Sequence, residues 1–163
     1  MKILYIVHAY PPAIGGSEHF AQQIAEHLVR NYGDGVTVLT TVAYDIDYFI
    51  HGGKALPVGI EQQNGVIVHR MPVFYRGGTI RSKIASLAYK LRLPGNDYLR
   101  TLAQGPIIPG LAKRIVASNA DMIIANAFPL RHMYDALTGA RRAGIPLVYI
   151  GAIHPHDRWG YDR

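Results

Sequence analysis

Apolar positions along this chain change period several times, and each change marks an element. Residues 3–8 (ILYIVH) begin with a continuous apolar run rather than an alternating one, which predicts a strand buried on both faces, as in a parallel sheet. Residues 9–16 contain Pro11-Pro12 and Gly15-Gly16 and read as a loop. Ser17 reads as the N-cap of a helix whose apolar face carries Phe20, Ile24 and Leu28, with Ala21 and Ala25 beside them and Gly33 closing it. Residues 36–41 (VTVLTT) are rich in β-branched side chains and predict a second strand. Residues 44–64, with Gly52-Gly53, Pro57 and Gly59, show no period and read as a long loop. A third strand is expected at 66–70 (VIVHR). Helical period returns over 80–93, with Ile84, Leu87, Ala88 and Leu91 on one side, and Pro94-Gly95 breaks it. Shorter helical segments are expected at 98–103 and 111–118, on either side of Gly105-Pro106 and Pro109-Gly110. A fourth strand at 121–125 (DMIIA), a helix at 130–143 between Pro129 and Gly144, and a fifth strand at 147–153 complete the pattern. Residues 154–163 form a polar tail with the single tryptophan, Trp159.

Strands alternating with helices predict right-handed βαβ units. The expected fold is α/β: a Rossmann-like three-layer domain with a mainly parallel sheet, spanning residues 1–163 as one unit. No helix follows the fifth strand, so the chain reads as a piece of a longer architecture. In open α/β sheets ligands bind at the carboxyl ends of strands where the strand order reverses. If the first strand is central, three such ends converge: residues 9–18, 126–128 and 154–158.

Composition narrows the class. Hydrophobic residues make up 49% of the chain, which argues against disorder, and the absence of cysteine removes disulfides and thiolate chemistry. The apolar runs are strand-sized, far short of the roughly 20 residues a membrane helix needs. The first run is also too short for a secretory leader, and a cytoplasmic protein is expected. Charge is uneven. Residues 74–100 carry six cations against Asp97 alone, which is five of the six net positive charges. Such a stretch is either a solvated helix face or a patch for an anionic partner: a phosphorylated substrate, an acidic lipid surface or nucleic acid. Residues 76–92 interleave basic side chains with Ile80, Ile84, Leu87 and Leu91, a pattern that can lie on an anionic membrane. The core reading is preferred, because a helix packed on the sheet needs the same apolar residues. Despite 11 tyrosines, no stacking motif or nucleic-acid module is present, and no nucleic acid is expected.

Candidate chemistry sits in the expected crevice. Gly15 and Gly16 allow close backbone approach to an anion, and Ser17 can add a hydroxyl; a plain tight turn is the alternative. The pair is not part of G-x-G-x-x-G. The second strand ends in Thr40-Thr41 rather than an acid, so a nicotinamide dinucleotide loses both its usual contacts. Glu18 either complements the helix dipole or binds sugar hydroxyls. His154, after the fifth strand, can carry a proton or bind substrate, or be structural. His154-Pro155-His156-Asp157 contains an H-x-H pair. Asp157, His8 or His132 would have to complete a metal set, no spacing rule supports one, and no metal is expected. His19 and His27 are eight apart and read as surface or packing residues. Asp157 and Arg158 serve either loop solubility or substrate contact.

The segments ILYIVHAYPPAIGGSEHFAQQIAEHL, VTVLTT, DMIIANAF and AGIPLVYIGAIHPHD resemble the N-terminal domain of a family 4 glycosyltransferase of the GT-B fold. The likeness runs over nearly the whole chain and is most specific from Pro11-Pro12 to Gly15-Gly16-x-Glu18. It implies one half of a two-domain enzyme that transfers a sugar, with retention and without a bound metal or cofactor, from a nucleotide-diphosphate sugar donor to a sugar or lipid-linked acceptor. By the resemblance Gly15, Gly16 and Ser17 approach the donor diphosphate. Glu18 lies near the acceptor and His154 matches the family's histidine near the transferred sugar, the catalytic candidate; Asn126, Asp157 and Arg158 are assigned to the acceptor side from their own places at strand ends. Gly33-Asp34-Gly35 departs from the family's Gly-His before the second strand, and the partner domain with its Glu-x7-Glu motif is absent from the sequence. Two other readings share the pattern: a non-enzymatic module that binds an anion or a partner protein, and half of a GT-B-type sugar-nucleotide epimerase.

Overall fold

The computed structural model describes residues 1–127 and 129–151. In chain order the elements are β1 (Lys2–Ile6), α1 (Gly16–Tyr32), β2 (Gly35–Thr41), α2 (Tyr48–His51), β3 (Gly59–Gln63), β4 (Val66–Met71), α3 (Gly78–Lys90), α4 (Asn96–Gln104), α5 (Leu111–Val116), β5 (Met122–Asn126), α6 (Arg131–Ala143) and β6 (Leu147–Ile150). The strands form one sheet in the order β3-β4-β2-β1-β5-β6, parallel throughout except for β3 against β4. The protein is a Rossmann-like α/β domain of three layers.

β1 is apolar at consecutive positions because both its faces are covered. Ile3, Tyr5 and Val7 join Ala21 and Ala25 of α1, Val36 and Val38 of β2, and Val66 and Val68 of β4. Leu4 and Ile6 face the other way, toward Leu111 and Ile115 of α5 and Met133 and Ala136 of α6. β1 pairs with β2 from Lys2↔Gly35 to Ile6↔Leu39 and with β5 from Ile3↔Met122 to Ile6↔Ala125. The chain leaves β1 for β2 on one side and returns to β5 on the other. The strand order therefore reverses at β1, and the loops after β1 and β5 flank one crevice. α1 and α6 both end at a left-handed glycine, Gly33 and Gly144 (φ 67° each), where a Cβ would be strained.

Residues 44–64 are not one irregular loop. They contain α2 and β3, and Ala43 and Ala55 form an antiparallel bridge between them. β3 (GIEQQ) is an exposed edge strand with polar side chains on both faces, so it has no period to read. The legible signal was its turn. Asn64 (φ 49°) and Gly65 (φ 85°) supply the two positive φ angles of a two-residue hairpin, for which Asn-Gly is the preferred pair.

The second correction concerns the helix expected to pack on the sheet. α3 runs Gly78–Lys90 and buries Gly78, Ala85 and Ala88, not its large apolar residues. With α1 on one face of the sheet and α5 and α6 on the other, α3 packs on α2 and α4 instead. It approaches closely through small residues: a Cβ on Gly78 would strike the Ile50 backbone. Ile80, Ile84, Leu87 and Leu91 are left exposed. Two of the six cations in this region hold the helices together. Arg81 donates to the carbonyls of Arg76, Tyr75 (3.4 Å) and Leu102 (3.3 Å), and the buried Arg100 guanidinium lies 5.0 Å from the Tyr89 ring centroid.

Candidate functional site

The loop after β1 is pinned from beneath by two residues of neighbouring strands. The Thr41 hydroxyl, at the end of β2, donates to the His8 carbonyl (2.5 Å) and accepts from the Ala43 N–H (3.1 Å). Arg70 of β4 is buried and donates to the carbonyls of Tyr10 (3.1 Å) and Pro11 (2.5 Å). Its third direction is taken by Glu61 of β3, paired at 2.7 Å. A planar guanidinium with five donors in a fixed fork suits such a clamp. Residues of β2 and of β4 thus fix where the backbone leaves β1 and enters α1.

Glu18 turns inward from the first turn of α1. Its Oε1 lies 3.1 Å from His8 Nε2, and its Oε2 accepts from the Ser17 hydroxyl at 3.0 Å. Both partners of the pair are buried. Burial works against the charged carboxylate. The His8 hydrogen bond and charge, with bonds from Glu18's own backbone and from Ser17, outweigh it and hold the carboxyl below its ordinary value. Ser17 is therefore not the N-cap; that position falls on Gly15, which makes no side-chain cap bond.

The two glycines differ in what they do. Gly15 has extended backbone (φ 173°) open to any residue, but a Cβ there would overlap the Glu18 carboxylate. Gly15 is small so that Glu18 can fold back onto His8. At Gly16 a Cβ meets nothing within 4 Å. Gly16 leaves bare helix-start backbone facing open space. Gly15→Ala is expected to swing Glu18 away, break the His8 pair and cost about 1–3 kcal/mol, read as a fall in the denaturation midpoint at pH 7. An unchanged midpoint would mean that the pair is not formed.

Asn126, at the end of β5, closes the other side. It is buried, with Nδ2 donating to the Ser17 carbonyl (3.4 Å) and Oδ1 accepting from Ala127 N–H (2.7 Å). Its backbone carbonyl lies 2.7 Å from His132 Nε2. A carbonyl only accepts, so Nε2 carries the proton and Nδ1 of neutral His132 is a bare acceptor. Burial, and then the nearby His8 charge, push His132 down to about 3, although the bond to Asn126 works the other way. The His8 ring sits between His132 (centroids 6.0 Å) and Phe49 of α2 (6.2 Å, edge-on). Nδ1 of His8 and Nδ1 of His132 are buried with no hydrogen-bond partner among the described residues.

The fold thus brings Gly15, Gly16, Ser17, Glu18 and Asn126 together at one crevice. His154, Asp157, Arg158 and Phe128 lie outside the described residues. Sequence reasoning missed the roles of His8, His132 and Arg70. His132 carried a signal: with Ala136 and Ala140 it repeats every four residues on the buried face of α6. Arg70 occupies an inward position of a buried strand, where a cation needs partners. His8 simply ends the apolar run. Among the described residues no three His, Asp or Glu side chains are grouped to hold a metal ion. A cavity of about 520 Å³, lined by Leu4, Leu39, Ile67, His69 and Arg114, lies over the sheet face beside α5, away from this crevice. Comparison with protein families, curated proteins and solved structures finds no match to this chain.

Proposed function

We propose that this chain is the acceptor-side domain of a retaining glycosyltransferase that uses a nucleotide-diphosphate sugar. The observation that carries the reading is the turn Gly15-Gly16-Ser17-Glu18, bonded to Asn126 across the point where the strand order reverses. The positive end of a 17-residue helix favours a diphosphate, and the open face of Gly16 lets one approach the backbone there. Glu18 is held as a carboxylate and keeps acceptor capacity beyond the bonds from His8, Ser17 and its own backbone, so it can accept a hydrogen bond from a hydroxyl such as a sugar's. In this reading Asn126, Asp157 and Arg158 complete the acceptor side and His154 lies by the transferred sugar. A second Rossmann-like domain supplies most nucleotide contacts, and no metal or cofactor takes part. The proposed setting is the cytoplasm, at the inner face of the membrane. Among the described residues no helix is long and apolar enough to cross it.

Hydrogen exchange on the 163-residue chain, with and without a nucleotide sugar, tests the division of labour. Little added protection at residues 15–18 is expected, because the donor is held mainly by the other domain. Strong protection by donor alone would make this chain a nucleotide-binding module instead.

A further inference from the structure

Ile80, Ile84 and Leu87 of α3 and Leu91 at its C-cap are 64%, 53%, 58% and 59% exposed. At 3.6 residues per turn they fall within an arc of about 60°. Ala85 and Ala88, on another side of the helix, are buried. The packing that fixes the rotation of α3 is therefore made by its small residues, and it holds the aliphatic stripe outward. Single exposed leucines are ordinary; four aligned along one helix are not. Lys83 and Lys90 are exposed along one flank of the stripe, Arg92 follows its end and Arg76 precedes it. Asp97 is the one carboxylate within residues 74–100. Arg81 and Arg100 are not part of this surface, since both are turned into the helix cluster.

We propose that this face of α3 seats the chain on an anionic lipid surface. The helix lies in the plane of the bilayer, with its stripe in the acyl boundary and its lysines among the headgroup phosphates. Charge selects this occupant. A second copy would bring a second basic flank to the same interface, with Asp97 the one carboxylate nearby to offset either. A neutral apolar partner would leave both lysines unmatched, whereas an anionic headgroup layer matches the cations and the stripe together. The 13 residues of α3 are too few to span a bilayer and enough to lie on one. α3 also leads away from the carboxyl end of β4 and packs on α2, whose Phe49 meets His8. Docking through it places the crevice close to the lipid, where a lipid-held acceptor would be. That last step rests on the transferase reading; the docking itself does not.

Co-sedimentation of the 163-residue chain with vesicles of phosphatidylglycerol in phosphatidylcholine, and with phosphatidylcholine alone, tests the proposal. Binding to the anionic vesicles is expected to exceed binding to the neutral ones and to fall with added salt. Ile84→Asp with Leu87→Asp should abolish it. Both positions are exposed, so the circular dichroism spectrum should not change. Lys83→Glu with Lys90→Glu should weaken it by roughly tenfold or more. Equal binding to both vesicle types, no binding to either, or a solution dimer that the aspartate variant splits would each overturn the proposal. Turnover of a nucleotide sugar reads the crevice separately, so loss of one result leaves the other standing.

Discussion

Acidification from pH 7 to pH 4 is expected to destabilise this domain, and His132 is expected to be the largest single cause. The fold holds His132 neutral, with burial pushing it down to about 3, whereas an unfolded chain protonates histidine near 6.5. Between those values the unfolded state binds the extra proton. The stabilisation is complete above about pH 6.5 and declines as pH falls toward 3. The shift sets an upper limit of about 5 kcal/mol, of which about 2–3 kcal/mol is lost by pH 4.5. His69, lowered by burial and by Arg114, acts in the same direction more weakly because it is less enclosed. Glu18 adds a separate acid-side loss at lower pH, since its carboxyl is held below the usual range and stops contributing once protonated. Denaturant titrations at pH 7.5, 5.5 and 4.5 check this. His132→Gln keeps a neutral donor for the Asn126 carbonyl, so it should flatten the slope between pH 6.5 and 4.5 while lowering stability at pH 7. An unaltered slope would assign the acid sensitivity to other groups.

Gly16→Val is expected to leave the domain folded and to remove transfer in a protein that carries both halves. A Cβ at Gly16 meets nothing within 4 Å in this domain, and valine is a slightly better helix residue than glycine, so little change in stability is expected. The added side chain stands instead in the space through which a diphosphate would reach the N–H groups of α1. Losing such a helix-start contact and displacing the donor should lower turnover by at least about a hundredfold. Gly15→Ala is the contrast. It disturbs Glu18 and costs stability, so the two adjacent glycines separate a folding role from a binding role.

How far the sequence reveals this molecule depends on burial. β1 and β5 are legible because a strand covered on both faces is apolar without a break, and β2, β4 and β6 are legible from their β-branched and apolar residues between turn signals. α1 and α6 are legible from their terminal glycines and their periods. β3 is not, because an exposed edge imposes no alternation, and only Asn64-Gly65 announced it. α3 shows where periodicity misleads. Its period was right, but the stripe of Ile80, Ile84, Leu87 and Leu91 points outward, since alanines decide its packing. Phe20 likewise sits at the exposed edge of α1, where Ala21 and Ala25 make the contact. Within the crevice, Gly15, Gly16, Ser17, Glu18 and Asn126 are found from their positions at strand ends. The His8–Glu18 pair and the His132–Asn126 bond join residues far apart in sequence or across a turn, and no spacing encodes them.

We propose that the crevice between the loops after β1 and β5 is the acceptor half of a sugar-transfer site. The most direct test is the rate of nucleoside-diphosphate release from a panel of nucleotide sugars, by the two-domain protein and by its Gly16→Val variant, with and without acceptor. The expected result is release that depends on acceptor, yields a product of retained anomeric configuration, and is lost in Gly16→Val at an unchanged melting temperature. Turnover of the variant at the unsubstituted rate, or no release from any nucleotide sugar, would contradict it.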